Sequence, residues 1–237
     1  MTVSINGKNL LIIGGGSGIA QRLASDAAAE GASVVLAGRH PLKAASARGG
    51  GDISTAQVNL GDEESIKALA AQVGEFDYLV SLAADHANGP LATLDRDAVL
   101  GAFDAKVIGP ILLAKHLAPR IREGGAILLF SGVAAWRPAP GLAVMATTNG
   151  AVSFLAEALA VELAPIRVNA LSPGIVDSGA WDRMGEGRDE FFSNVAASNP
   201  ARRIGQPADI SSAALLALTN PFITGTTLHV DGGGRVA

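Results

Sequence analysis

Residues 10–20 read LLIIGGGSGIA, and this stretch decides the fold. Leu10–Ile13 is a run of four apolar residues that ends in glycines, as is typical of a buried parallel strand. Ile19–Glu30 follows with apolar residues at helical spacing and stops at Gly31. Glycines between a strand and a helix let backbone amides approach a pyrophosphate, whose charge the helix N-terminus stabilises. The order predicts such a phosphate site, and a tight turn that binds nothing is the alternative.

Strands and helices alternate along the rest of the chain. The predicted strands are Ser33–Ala37, Ala56–Val58, Tyr78–Leu82, Ala126–Ser131, Ile166–Ala170 and Thr227–His229. The predicted helices are Leu42–Ala47, Asp62–Val73, Asp95–Ile121 (one long helix or two abutting ones), Thr148–Leu163 and Pro207–Leu218. Arg48–Asp52 is interpreted as a glycine-rich surface loop, and Ser178–Ser198 as a mobile substrate flap. The alternation predicts a single-domain Rossmann-type doubly wound parallel sheet with helices on both faces, covering residues 1–237.

The composition excludes several classes of protein. The chain is 49% hydrophobic and 17% charged, with a net charge of -4 and no cluster of Lys and Arg, so no nucleic-acid partner is expected. It has no cysteine, and its four histidines lie far apart, so no metal site is expected. No stretch approaches the roughly 20 apolar residues of a membrane span, and no signal-peptide core precedes the glycines. The cytoplasm is therefore the expected location.

Several landmarks resemble those of the short-chain dehydrogenase/reductase family. The glycine turn is similar to the family's Thr-Gly-x-x-x-Gly-x-Gly pattern, with Ile13 and Ala20 replacing its ends. Residues 79–84 (LVSLAA) resemble the family's strand plus Asn-x-Ala-Gly segment, and residues 167–174 (RVNALSPG) resemble its nicotinamide-side segment. Residues 205–210 (GQPADI) and 224–233 match its C-terminal landmarks. The resemblance covers essentially the whole chain and implies a nicotinamide cofactor and a carbonyl or alcohol substrate.

The motif and the resemblance together give a candidate cofactor set. Its members are Gly14, Gly16, Ser17, Gly18, Ile19, Arg39, His40, Asn59, Leu60, Ala83, Ala84, Asn149, Pro173, Gly174, Val176 and Ser178. The end of the second strand meets the adenosine ribose in this topology, and residues 36–40 (LAGRH) contain no acid there. Arg39 can pair with a 2′-phosphate, assisted by His40, so NADP(H) is predicted over NAD(H). A solvated surface arginine is the alternative.

All four positions of the family's Asn-Ser-Tyr-Lys catalytic set depart from the pattern. They hold Lys106, Gly132 (with Ser131 one step earlier), Met145 and Asn149. A thioether has no proton to give, and the sole tyrosine, Tyr78, precedes the fourth strand and cannot substitute. The asparagine and the lysine have exchanged places, which moves the positive charge of the expected cleft to its other wall.

Two classes of function remain open at this point. One is an NADP(H)-dependent oxidoreductase in which Lys106 stabilises or protonates the substrate oxygen, Ser131 orients the carbonyl and Asn149 binds the ribose. In the structural alternative, Lys106 merely fills the emptied volume or contacts a backbone carbonyl. The other class is a non-catalytic NADP(H)-binding protein that acts as a regulator, scaffold or partner subunit.

The expected partners follow from the apolar residues. Four aromatic side chains suggest a pocket for an apolar small-molecule substrate, with plain core packing as the alternative: Trp136, Trp181, Phe191 and Phe192. Long helices that are apolar on more than one face suggest a homodimer or homotetramer, which is common in the family. No membrane partner is expected.

Overall fold

Seven parallel strands form one sheet in the part of the chain that the computed structural model describes, residues 4–40 and 50–237. The strands are β1 (Asn9–Ile13), β2 (Ser33–Gly38), β3 (Ile53–Gln57), β4 (Phe76–Ser81), β5 (Ile121–Phe130), β6 (Arg167–Pro173) and β7 (Thr227–Val230). Their order in the sheet is β3-β2-β1-β4-β5-β6-β7. The predicted Rossmann-type sheet is confirmed. The predicted helix Leu42–Ala47 and the first residues of the predicted loop Arg48–Asp52 lie outside the described residues.

Seven α-helices accompany the sheet, and five of them pack on its two faces. The seven are α1 (Gly18–Ala29), α2 (Glu63–Val73), α3 (Arg96–Phe103), α4 (Gly109–Leu117), α5 (Ala143–Glu162), α6 (Gly187–Ser198) and α7 (Pro207–Thr219) among the residues described. Because side chains alternate along a strand, Leu10 and Ile12 of β1 pack against α1 and α7. Leu11 packs on the other face with α2, α4 and α5. Both faces of the central strands are therefore core.

Several predicted elements differ from the structure, and strand β5 begins at Ile121 rather than Ala126. Strand β3 begins at Ile53 rather than Ala56, and helix α5 begins at Ala143 rather than Thr148. The segment Ser178–Ser198, predicted as a mobile substrate flap, contains a short 3₁₀ turn followed by helix α6. Acidic residues in the first turn of α6 stabilise the helix, because they interact with the positive end of its dipole. Since α6 has no buried residue, its sequence shows no apolar periodicity that would predict a helix.

A wide turn joins α3 to α4, so of the two alternatives for Asp95–Ile121 the structure has two abutting helices. Asp104–Ile108 form a single π-helical turn, with Lys106 at its centre, and the amide of Gly109 donates to the carbonyl of Asp104. A Cβ on Gly109 would lie 2.6 Å from that carbonyl oxygen and 2.7 Å from Cβ of Leu60. The turn therefore needs glycine at this position. Such turns are frequent at functional sites.

Helix α5 is long and apolar enough, by length and composition, to cross a membrane, with a mean hydropathy of 1.4. The sequence-based statement that no stretch approaches this length is therefore wrong for α5. The helix packs on the sheet, where Val152 and Ala156 are buried in the core. Core helices pass the same test, so one such helix is weak evidence of a membrane span.

Candidate active site

A crevice opens where the strand order reverses, between β1 and β4. In open α/β sheets ligands bind at this switch point, outside the carboxyl ends of the strands. A cavity of about 630 Å³ lies here, lined by the glycine turn after β1 and by residues that follow β2, β3, β4 and β5. This cavity therefore lies at the position that the topology predicts for a nucleotide.

The glycine turn is built to bring backbone close to a ligand. Gly14 has a φ of 94°, and its amide donates to the carbonyl of Ala37 at 2.8 Å. A Cβ on Gly14 would lie 2.6 Å from the amide nitrogen of Ala83, so the turn packs directly on the segment after β4. Ser17 caps α1 by accepting from the amide of Ala20 at 3.1 Å. The first amides of α1 have no partner within the helix, and this cradle fits a pyrophosphate.

Most of the predicted cofactor residues line the cavity. They are Gly14, Gly16, Ser17, Ile19, Arg39, His40, Asn59, Leu60, Ala83, Ala84 and Ser178.

Other predicted cofactor residues are not among those that line it and have packing roles. A Cβ on Gly18 would lie 2.5 Å from the carbonyl oxygen of Ser178, and one on Gly174 would lie 2.7 Å from Cα of Asp231. Val176 is buried and pairs with Gly205, and Pro173 ends β6. Close backbone packing therefore explains both glycines, and their contact with a cofactor stays a prediction.

Arg39 is not a free surface arginine. Its Nη1 and Nη2 each donate to one carboxylate oxygen of Asp85, at 2.7 Å and 2.7 Å. Asp85 also lines the cavity, together with His86, Asp104 and Phe130, and sequence analysis missed all four. The only signal for Asp85 was its position directly after Ala83 and Ala84.

Lys106 and Asn149, the exchanged pair, contact each other. Nζ of Lys106 donates to Oδ1 of Asn149 at 2.5 Å and to the carbonyl oxygen of Ser131 at 3.3 Å. Desolvation by burial lowers the pKa of Lys106 to about 8, and no salt bridge to this lysine occurs within residues 4–40 and 50–237. Lys106 and Ser131 line the cavity, whereas Asn149 is buried and is not among the lining residues. The site thus holds an ammonium group on two neutral acceptors.

The hydroxyl of Ser131 has a different role from the predicted one. It donates to the backbone carbonyl of Asn149 at 2.7 Å, and Ser153 donates to it at 3.2 Å. It therefore joins the end of β5 to α5 and has no proton left for a substrate. At the family's serine position, a Cβ on Gly132 would lie 2.8 Å from Nδ2 of Asn149. The asparagine side chain thus occupies the space that a serine would need.

The four aromatic residues form two separate clusters. The rings of Trp181 and Phe191 lie 4.9 Å apart, and Phe192 lies 6.0 Å from Phe191. Trp136 meets His229 edge-on at 4.9 Å. None of these aromatic residues is among those that line the described cavity. This arrangement favours packing over a direct substrate role for them.

His86 adds a second titratable group beside Lys106. Desolvation lowers its pKa, and the positive charge of Lys106 lowers it further. In the described ranges, no group of three or more His, Asp or Glu side chains could hold a metal ion.

Fold and cleft together define a Rossmann-type dinucleotide-binding protein. A family model described as enoyl-(acyl carrier protein) reductase matches residues 14–234. An uncharacterized oxidoreductase of Methylorubrum extorquens is 29% identical over 245 residues, which cover 98% of this chain and 99% of the relative. The chain belongs to the short-chain dehydrogenase/reductase family.

Solved structures agree with this assignment. A small-chain dehydrogenase in complex with NADPH is 30% identical, with a TM-score of 0.84 over 97% of this chain and 99% of its own. MalC reductase/Diels-Alderase from Malbranchea aurantiaca is 27% identical, with a TM-score of 0.92 over 100% of both chains. The protein is an NAD(P)-dependent oxidoreductase, and the alternative of a non-catalytic binder is not favoured.

Proposed function

We propose that this protein uses NADP(H) to interconvert a carbonyl compound and an alcohol, with Lys106 in place of the missing tyrosine. The observation that carries the proposal is that Lys106 lines the cavity and that its ammonium group is held by Asn149 and Ser131. A nicotinamide bound in the cavity would supply or accept the hydride. The chain's own residues must then stabilise the substrate oxygen and move its proton.

The geometry of Lys106 suits both tasks. An ammonium group has three N–H donors, and two of them go to the oxygen atoms of Asn149 and Ser131. The third is available to a substrate oxygen. Because both acceptors are neutral, the charge of Lys106 is left to stabilise negative charge that develops on that oxygen. With a pKa of about 8, the group is mostly protonated at neutral pH and can still release its proton.

Asn149 acts through Lys106 in this proposal. Its side chain is 3% exposed and accepts from Nζ of Lys106, so it directs the lysine rather than binding the ribose. Ser131 contributes its carbonyl oxygen to the same end, and its hydroxyl fixes α5. Both are therefore positioning residues.

The choice of NADP(H) rests on Arg39 at the end of β2. Its guanidinium lines the cavity beside His40, and a planar fork of N–H donors matches a phosphate. A charge-assisted contact of this kind contributes about 1.5–3 kcal/mol, which is on the order of ten- to a hundredfold in affinity. A relative of known structure binds NADPH.

The substrate class follows from the surroundings of Lys106. Ala105 and Phe130 line the cavity there, and both are nearly buried. An apolar small molecule with one carbonyl or hydroxyl group fits such walls, because its body would be desolvated while its oxygen meets the ammonium group.

A substrate screen with a matched pair of variants tests the proposal. Aliphatic and aromatic ketones and aldehydes are offered with NADPH, and oxidation of the cofactor is followed by absorbance. With an active substrate, Lys106→Met should lower turnover by about 10²–10⁴-fold, as is typical of a lost general acid, with little change in NADPH affinity. The control is Lys115→Met on α4, since this exposed lysine pairs with Glu63 away from the cavity.

Two results would contradict the proposal. If Lys106→Met and Asn149→Ala both retain most of the activity, the proton comes from elsewhere. If the unmutated protein binds NADPH no more tightly than NADH and Arg39→Ala leaves both affinities unchanged, the choice of NADP(H) is wrong.

A further inference from the structure

The ion pair between Arg39 and Asp85 spans the cofactor cleft. Strands β2 and β4 lie on either side of β1, so their ends are roughly 9–10 Å apart. Gly14 touches both flanks, because its amide donates to Ala37 and a Cβ on it would meet Ala83. Arg39 lies two residues beyond Ala37, and Asp85 lies two residues beyond Ala83. The ion pair between Arg39 and Asp85 therefore joins the segment after β2 to the segment after β4, beside the glycine turn. An adenosine bound in the cleft would lie next to this pair.

The ion pair between Arg39 and Asp85 has good geometry, but a phosphate can displace Asp85 from it. Both Nη atoms are engaged at 2.7 Å, and the carbonyl of Arg39 accepts from Nε2 of Gln57, which fixes the backbone at this point. The side chains of Arg39 and Asp85 remain 54% and 35% exposed. Ion pairs as exposed as this one contribute little to stability, whereas a phosphate dianion offers the same guanidinium a stronger bidentate contact. A 2′-phosphate can therefore take Arg39 from Asp85.

We propose that Asp85 is a specificity-determining residue for the cofactor. It holds Arg39 across the cleft when no 2′-phosphate is present and releases it to one. This inference rests on the proposed use of NADP(H) through Arg39. Asp85 competes with the 2′-phosphate for Arg39, and its negative charge also repels the phosphate nearby. Asp85 therefore reduces the preference for NADP(H) over NAD(H) that Arg39 alone would give.

Cofactor affinities of four proteins test this role without any substrate. NADPH and NADH are titrated, with nucleotide fluorescence as the readout, into the unmutated protein, Asp85→Asn, Arg39→Ala and the double variant. Asp85→Asn removes the competing charge and keeps the shape, so NADPH should bind about tenfold more tightly and NADH at most about threefold. In the Arg39→Ala background the same change should have a smaller effect on NADPH. Asp97→Asn, an equal change of charge on the exposed start of α3, is the control and should alter neither affinity.

The possible results separate the two proposals. In one outcome, Arg39→Ala abolishes the preference for NADPH, but Asp85→Asn leaves the ratio of NADPH to NADH affinity unchanged or lowers it. This outcome overturns only the role of Asp85. If the unmutated protein binds NADPH and NADH equally and Arg39→Ala changes neither affinity, the use of Arg39 for NADP(H) is contradicted. Equal affinities in the unmutated protein, with a preference for NADPH in Asp85→Asn, support the inference.

Discussion

The positive charge of Lys106 is desolvated, and both of its hydrogen-bond acceptors are neutral. Its ammonium group is held by an amide oxygen and a backbone carbonyl, and desolvation lowers its pKa from the ordinary value of 10.5 to about 8. At neutral pH the folded protein carries this cost in full, because the unfolded chain would hydrate the same charge freely. The stability of the protein must therefore depend on pH in alkaline solution.

The comparison with Lys106→Met gives the direction of that dependence. Below pH 8 the lysine is protonated in both states, so the cost is constant. Between about pH 8 and 10.5 the unfolded state binds more protons, so the free energy of unfolding of the unmutated protein should rise relative to that of the variant. The rise should be on the order of 3 kcal/mol over this interval. Urea denaturation at pH 7, 8, 9 and 10 measures it, with Lys115→Met as the control for a lost surface lysine. A difference that stays constant with pH would show that Lys106 is not desolvated.

The candidate site could be predicted from sequence only in part. The exchange of Lys106 and Asn149 is visible as a departure from the family pattern, and their contact follows because both elements line one cleft. The hydrogen bond from the Ser131 hydroxyl to the backbone carbonyl of Asn149 could not be predicted, because a sequence does not show which carbonyl of a helix lies beside the end of a strand. Asp85 was missed because its partner is 46 residues away, and only the sheet order brings them together.

At the scale of elements, the regular strands were predictable and the irregular turns were not. Runs such as Leu10–Ile13 are buried on both faces and give a continuous apolar signal. Edge strand β3 exposes Ser54 and Thr55, so its first residues carry no such signal. The sequence has a helical pattern on both sides of Asp104–Ile108, so it does not reveal the π-helical turn between them. Only the backbone hydrogen bonds of the structure show this turn.

The contact between α1 and the loop after β6 gives a prediction at this scale. Gly18→Ala would place a Cβ 2.5 Å from the carbonyl oxygen of Ser178, so the loop must move away from α1. Overpacking of this kind costs about 1–3 kcal/mol. The melting temperature should fall by several degrees. NADPH affinity should fall as well, because Ser178 lines the cavity.

Thermal denaturation and NADPH titration measure both effects. Gly150→Ala on α5 is the matched control, because a Cβ there meets nothing within 4 Å. Since alanine favours a helix more than glycine does, this variant should keep or raise the melting temperature and leave NADPH affinity unchanged. If Gly18→Ala behaves in the same way, the close contact with Ser178 does not constrain the loop.

At the scale of the whole molecule, α5 exposes apolar side chains on one outer face. Phe154 is 71% exposed and Val161 is 82% exposed, and the spacing of seven residues puts them on the same side of the helix. Ile108 and Ile111 are also partly exposed on the adjoining segment. Exposed apolar side chains of this kind are typical of a contact between subunits, so this is the face where we expect the predicted homodimer or homotetramer to form.

A single charge on this face should disrupt the assembly. Phe154→Glu is expected to lower the molar mass in solution, measured by size exclusion with light scattering, because a carboxylate would be buried without a partner in the contact. Phe222→Glu alters a phenylalanine that is 97% exposed in the loop after α7 and should leave the mass unchanged. A monomeric unmutated protein, or dissociation by Phe222→Glu alone, would place the contact elsewhere or exclude it.

The crowding of Gly132 against Asn149 also couples three positions of the site to one another. Serine at position 132 would collide with Nδ2 of Asn149 at 2.8 Å, and lysine at position 149 would bring two ammonium groups together where Lys106 now bonds Asn149 at 2.5 Å. Asparagine at position 106 would take away the only cation that Oδ1 of Asn149 meets among the residues described. Each single substitution toward the family's set would therefore disturb a contact that these three residues now make, so we expect the set to be restored only when all three are changed together.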